Sequence, residues 1–344
     1  MAAPGKTAIK LSSNESPLGA SPKAIEALGG LAKKLAAYPD PGSNALRTAL
    51  GDIYGLDADK IVVGAGSDEI LHLLAQAFLG EGDEAVISEF GFLMYPIVTL
   101  GAGAKPLYAK DKDYRVDVDA MLAAVSEKTK IVFLANPNNP TGTYLEKSEL
   151  LRLHKGLRAD ILLVIDSAYG EYVTASDYGV GDDLVREWQN VVMVRTFSKI
   201  GLASLRIGWM LGPEKIIDAI NRIRGPFNVN FAAQIAGEAA VRDVEFTEEL
   251  KAHNAKWRDW LSVELNGNSI RVIPSQGNFI LTLFANDAHA KKANEALLEN
   301  GLVVREMGAY GLSNALRISI GEESAMKAVA KVLKNMDLAG LDLT

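Results

Sequence analysis

The chain contains no cysteine. That excludes disulfides, thiolate metal sites and a cysteine nucleophile. Histidine is scarce too: four in 344 residues, none clustered, which argues against a histidine-built metal centre and leaves no metal expected. There is no excess of positive charge. Lysine and arginine total 36 against 43 aspartates and glutamates, a net charge of −7. Binding a nucleic-acid backbone needs a basic face, so nucleic acid is not the expected partner. No apolar run is long enough to span a bilayer, and Met1–Leu11 lacks the apolar core of a secretory signal. The expectation is a cytoplasmic protein acting on small molecules. Neither an internal repeat nor a low-complexity tract is present.

What is present is organised around Thr196–Trp209, TFSKIGLASLRIGW. An apolar run, Val191–Val194, leads into it and reads as a buried strand. Two hydroxyls, a lysine and an arginine follow before the next apolar run. Phe197, Ile200 and Leu202 would wall Lys199 and partly desolvate it, and a lysine amine is a nucleophile that forms Schiff bases with carbonyls. Thr196, Ser198 and Arg206 suit a phosphate: hydroxyl donors and a two-pronged guanidinium. Taken alone, a Ser-Lys pair is more often a solvated loop, so the rest of the chain has to carry the argument.

Between Lys60 and Leu211 short apolar strands alternate with helical patterns. This predicts a parallel sheet covered on both faces, with ligands beyond the C-terminal strand ends. Four polar loops leave strands at that edge: Gly64–Asp68, Asn136–Asn139, Asp166–Tyr169 and Ser198–Arg206. The first is a glycine loop entering a helix, suited to an anion, with a Ser67 or Asp68 helix cap as the plainer alternative. Its glycines lack dinucleotide-fold spacing. Asp166 follows an apolar run and needs a partner, for which a protonated pyridine nitrogen or a helix cap would serve. After a break at Gly225–Asn230 comes a long helical stretch, Phe231–Leu265. Strands and helices from Ile270 onward suit a small α+β domain. The division read here is an N-terminal segment, 1–40, a large domain, 41–240, and a small C-terminal domain, 241–344.

In this order the segments LSSNESPL (Leu11–Leu18), Tyr38-Pro39-Asp40, GAGSDEI (Gly64–Ile70), Phe90–Tyr95, NPNNPTG (Asn136–Gly142), Asp166–Tyr169, Thr196–Lys199, PFNVN (Pro226–Asn230) and LRISIG (Leu316–Gly321) resemble the fold-type I, class I/II aminotransferases that use pyridoxal 5′-phosphate. The resemblance implies a mostly parallel central sheet with helices on both faces plus a smaller domain. It implies that Lys199 carries the cofactor and shuttles the substrate proton, and that Asp166 pairs with the pyridinium nitrogen. Asn139 and Tyr169 would bond the ring hydroxyl, and Phe92 would stack on the ring. Ser67 and Asp68 would offer backbone N–H groups to the phosphate, completed by Thr196, Ser198 and Arg206. Tyr38 would reach the cofactor phosphate of a neighbouring subunit, making a homodimer with shared sites. Asn14, Arg305 and Arg317 would bind substrate, the arginines at its anionic end.

Within the family, PFNVN and SSNESP are similar to histidinol-phosphate aminotransferases. The expected reaction is therefore L-histidinol phosphate plus 2-oxoglutarate giving imidazole-acetol phosphate plus L-glutamate. An aromatic amino acid aminotransferase and a threonine-phosphate decarboxylase-like enzyme are the alternatives. Three features depart from the family pattern. The Lys199–Arg206 step is one residue short, Ser167 stands where glutamate is common, and Leu18 stands where some histidinol-phosphate enzymes carry a tyrosine.

Overall fold

A computed structural model describes residues 8–31, 35–267 and 269–336. Residues 1–7 and 337–344, at the ends of the segments read above, lie outside it. In chain order the first elements are β1 (Ile9–Lys10), α1 (Pro22–Leu28), α2 (Asn44–Tyr54), β2 (Ile61–Gly64), α3 (Gly66–Phe78), β3 (Glu84–Ser88), α4 (Met94–Gly101) and β4 (Lys105–Ala109). Then come α5 (Val118–Ala123), β5 (Thr129–Ala135), α6 (Lys147–Gly156), β6 (Leu162–Asp166), α7 (Asp182–Glu187), β7 (Val191–Thr196), β8 (Gly208–Leu211) and α8 (Glu214–Ile223). The last are α9 (Phe231–Val241), α10 (Val244–Leu265), β9 (Ile270–Ile273), β10 (Phe279–Phe284), α11 (Asp287–Glu299), β11 (Leu302–Val303), β12 (Arg305–Met307), β13 (Leu312–Ser319) and α12 (Glu323–Lys334).

Seven strands form the large sheet, in the order β2-β8-β7-β6-β5-β3-β4. Its central strands β5, β6 and β7 carry unbroken apolar runs, Ile131–Ala135, Leu162–Ile165 and Val191–Val194, because both faces are covered. In β6, Leu163 and Ile165 enter one core while Leu162 and Val164 enter the other. In β7, Met193 faces the first core and Val192 and Val194 the second. Each such side chain contributes about 1.5–3 kcal/mol when fully buried.

The expectation of a mostly parallel sheet holds for β4, β3, β5, β6 and β7. It does not extend to β8, which runs antiparallel to both β7 and β2. The reason is the connection. Between Thr196 and Gly208 the chain forms only two 3-10 turns, too little for the crossover that a parallel neighbour requires. Two reversals restore direction, so β2 ends at the same sheet edge as β7. That brings the Gly64–Asp68 loop beside Lys199.

A four-stranded antiparallel sheet, β12-β13-β10-β9, forms a second unit. It packs with α10, α11 and α12 around Trp257, Leu261, Leu297, Ile318 and Val329. The N-terminal segment is tied to this unit: β1 pairs parallel with β11, Leu11 N donates to Val303 O at 2.7 Å, and Ser319 N donates to Leu11 O at 2.9 Å. Leu11 itself is buried in the second unit's core. The helical stretch from Phe231 is two helices, broken at Arg242-Asp243, where Asp243 accepts a bond from Ser21 at 2.5 Å and pairs with Lys23. Among the described residues no helix is long and apolar enough to cross a membrane.

Candidate active site

The four polar loops converge on a cavity of about 280 Å³ at the C-terminal edge of the large sheet. Ser67, Asp68, Phe92 and Asn139 line it together with Asp166, Tyr169, Thr196, Ser198, Lys199 and Arg206. A second cavity, about 300 Å³, shares Phe92, Asn139, Tyr169 and Lys199 and adds Asn14, Arg305 and Arg317. Tyr38 lines neither. It is 80% exposed and stacks on Phe227 at 4.4 Å.

One end of the first cavity is a cup for an anion. Helix α3 begins at Gly66, so Ser67 and Asp68 lie in its first turn and Ala65 is the N-cap; its own side chain makes no capping bond, and its N–H donates to Glu69 Oε2 at 2.5 Å. The capping alternative for Ser67 and Asp68 therefore fails, and the first-turn N–H groups remain for a ligand. Opposite them, Arg206 donates to Ser198 Oγ at 3.3 Å and to Asp68 Oδ2 at 2.9 Å. Thr196 Oγ1 bonds Ser198 Oγ at 3.1 Å. The cup is tight because Gly208 of β8 lets the α3 end approach. A Cβ at Gly208 would sit 2.4 Å from Ser67 N. The PFNVN segment braces it: Asn228 Nδ2 donates to Glu69 Oε2 at 2.7 Å, and Asn230 Nδ2 to Leu205 O at 3.1 Å. Arg206 itself holds a positive φ of 52°, a conformation that costs a non-glycine residue free energy and is found where a side chain must be aimed.

At the other end stands Asp166, the last residue of β6 and 4% exposed. Burial pushes its carboxyl up to about 6. A hydrogen bond from the Tyr95 hydroxyl, the Ala168 N–H and the Lys199 charge oppose that rise. Tyr95 donates to Oδ2 at 2.9 Å and Ala168 N to Oδ1 at 3.2 Å. Among the described residues Asp166 has no ion-pair partner, and it caps no helix. A buried carboxylate short of a cation suits a protonated pyridine nitrogen.

Between these ends, hydrogen-bond bookkeeping leaves donors for a ring oxygen. Asn139 Oδ1 accepts from Arg317 at 2.5 Å, which leaves its NH₂ to donate. Tyr169 Oη accepts from Asn14 Nδ2 at 3.0 Å, which leaves the phenol proton to donate. Phe92 presents a half-buried ring packed edge-on against Tyr95 at 5.8 Å. Lys199 Nζ lies 5.6 Å from the centre of the Tyr169 ring. The residues thus fit pyridoxal phosphate at all three of its handles: phosphate, ring nitrogen and ring hydroxyl.

Beyond Lys199, Arg317 of β13 is buried, and burial lowers its pKa, opposed by Tyr169 and Tyr310. Arg317 Nη2 donates to Ser12 O at 2.8 Å, while its Nε has no hydrogen-bond partner among the described residues. Arg305 stands directly across from it in the β12–β13 register, exposed. Two guanidiniums at one pocket wall point to an anionic substrate group. Asn14, like Arg206, has a positive φ, 55°, and its backbone N–H bonds Ser319 Oγ at 2.8 Å.

Two further aromatic residues were not singled out from the sequence. Tyr95 lies inside a quoted segment but reads as core, and Tyr310 lines the second cavity from a 3-10 turn after β12. Nothing in their local sequence marks either one; their partners lie far away in the chain.

The sequence matches the family described as aminotransferase class I and II over residues 6–333. It is 52% identical to the histidinol-phosphate aminotransferase of Rhodospirillum rubrum over 94% of this chain and 89% of that one. It is 51% identical to that of Rhodopseudomonas palustris over 97% and 92%. Among solved structures, it superposes on histidinol-phosphate aminotransferase from Sinorhizobium meliloti, in complex with pyridoxal 5′-phosphate, with a TM-score of 0.89 at 28% identity, over 95% of this chain and 90% of that one. The chain belongs to the class I and II aminotransferase family.

Proposed function

We propose that this chain is a pyridoxal-phosphate-dependent histidinol-phosphate aminotransferase. It moves the amino group between L-histidinol phosphate and 2-oxoglutarate, giving imidazole-acetol phosphate and L-glutamate. The observation that carries the reading is near-full-length identity of about half to relatives of that name, on a chain whose lysine pocket opens toward two arginines.

When bound, pyridoxal phosphate supplies an electron-withdrawing ring that acidifies the substrate's Cα–H and carries the amino group between half-reactions. The chain's residues do the rest. The first-turn N–H groups at Ser67 and Asp68, with Thr196, Ser198 and Arg206, hold the phosphate. Asp166 holds the positive charge at the ring nitrogen, and Tyr95 holds Asp166. Asn139 and Tyr169 donate to the ring oxygen, and Phe92 covers one ring face. Lys199 Nζ would take the proton from Cα of the donor and deliver it to the cofactor carbon that bears the transferred nitrogen, as a positioned general base and then acid. Arg317 and Arg305 hold the substrate phosphate or, for glutamate, a carboxylate. Asn14 fixes Tyr169. The assembly is a cytoplasmic homodimer in which Tyr38, exposed and outside its own chain's cavities, reaches the partner's cofactor phosphate.

A half-reaction panel tests the substrate. Purified holoenzyme is mixed in turn with L-histidinol phosphate, L-phenylalanine, L-glutamate and L-threonine phosphate, and the loss of cofactor absorbance is followed. Histidinol phosphate and glutamate should react fastest. Phenylalanine outpacing histidinol phosphate would move the assignment to aromatic substrates, and carbon dioxide release from threonine phosphate would move it to decarboxylation.

A further inference from the structure

The lysine sits in a single 3-10 turn, Ser198–Ile200, that does not continue as a helix. Carbonyls at the end of so short a turn have no following helical N–H to meet them. Among the described residues no backbone N–H reaches the Lys199 carbonyl. Its partner is a side chain: the hydroxyl of Tyr172, which donates to Lys199 O. Tyr172 is 1% exposed and its ring packs in the core beneath the large sheet. Burial drives its phenol well above the ordinary range, while a side-chain bond from Asn278 opposes the rise. The group is therefore a neutral donor at any working pH.

The turn also packs closely against the N-terminal segment. Gly201, which closes it, has a φ of 96°, and a Cβ there would lie 2.1 Å from Gly19 O. The lysine main chain is thus fixed between the N-terminal segment and Tyr172. Tyr172 shares its own 3-10 turn with Tyr169 as N-cap, and Asn278 also bonds Asn14 O at 2.9 Å. Glu171, between the two tyrosines, pairs with buried Arg195 at 2.5 Å, one residue before Thr196. One short turn therefore ties the ring-contacting tyrosine to the strand that delivers the lysine.

We propose that the Tyr172 hydroxyl is a positioning group for amino transfer: it fixes the Lys199 main chain and so the place from which Nζ moves the substrate proton. The proposal rests on Lys199 as the proton-moving group and extends the working site to a residue that touches neither substrate nor cofactor. Misplacing a reacting group by a fraction of a bond length slows the step it performs and leaves binding largely intact.

Tyr172→Phe deletes the hydroxyl and keeps the packed ring, so the holoenzyme remains available for study. Single-turnover reaction with L-glutamate, with hydrogen or deuterium at Cα, is compared between variant and wild type, along with cofactor affinity and the pH midpoint of the cofactor's visible absorbance. Glutamate as donor makes the result independent of whether histidinol phosphate is the partner substrate. The expected result is a rate loss on the order of tenfold, a larger deuterium effect, a shifted absorbance midpoint and nearly unchanged cofactor affinity. An unchanged rate and deuterium effect would overturn the proposal. So would a rate loss matched by lost cofactor with the deuterium effect unaltered, which would make Tyr172 a general structural residue.

Discussion

At the scale of single residues, Asp166 shows how a site is prepared for its ligand. Its carboxyl is raised from 3.8 to about 6, chiefly by burial. A carboxyl raised in this way adds stability while protonated, below its unfolded value near 4, and loses that contribution as pH climbs through 6. Above that, the cofactor-free chain carries a buried, unpaired charge, and a cofactor cation removes the penalty. Asp166→Asn should therefore stabilise the cofactor-free protein at about pH 8 by roughly 3 kcal/mol, the size of a two-unit shift. The gain should vanish toward about pH 4. Asp111, which burial pushes up to about 7, is present in both proteins and cancels from the difference. Denaturant unfolding at the two pH values measures it. A difference that does not change with pH would mean that Asp166 is not the strained charge described here.

At the scale of elements, legibility followed the strength of the local pattern. The alternation of strands and helices between Lys60 and Leu211, the break at Gly225–Asn230 and the strands and helices from Ile270 onward lie where the sequence puts them, since apolar runs and polar turns punctuate them clearly. The direction of β8 was not legible: four apolar residues read the same either way, and only the missing crossover helix reveals the reversal. Helix α7 went unread because it is six residues long and opens on two aspartates. The α9–α10 break has no proline or glycine to announce it. The loops that line the cavity were legible because a polar residue after a buried strand needs a reason to be there. Tyr95 and Tyr172 were not, because their hydroxyls act on groups 71 and 27 residues away. The junction of β8 with α3 gives a test at this scale. Gly208→Ala places a methyl against Ser67 N and must push the helix end out of the cup. Cofactor affinity should fall by at least about tenfold, the worth of a single strong hydrogen bond. Gly101→Ala, whose new methyl meets nothing within 4 Å, should leave affinity unchanged. Equal affinities for both variants in an absorbance titration would contradict this close approach as the basis of the cup.

At the scale of the whole molecule, the proposed homodimer would give the exposed Tyr38, stacked on Phe227, a role across the interface. Lys199→Ala and Tyr38→Ala chains should each be poor alone. Mixed at random, half the dimers are hybrids with one intact site, so roughly a quarter of wild-type activity should return. A mixture no better than its parents, with subunit exchange verified by mass, would confine Tyr38 to a packing role. The central claim, that this chain moves an amino group through Lys199, is tested most directly by product formation. Wild type and cofactor-loaded Lys199→Ala are given L-histidinol phosphate and 2-oxoglutarate, and L-glutamate is measured. Wild type should form glutamate, and the variant should fall by about a thousandfold, the scale of a lost general acid–base. Glutamate formed by the variant within about tenfold of wild type would contradict the account.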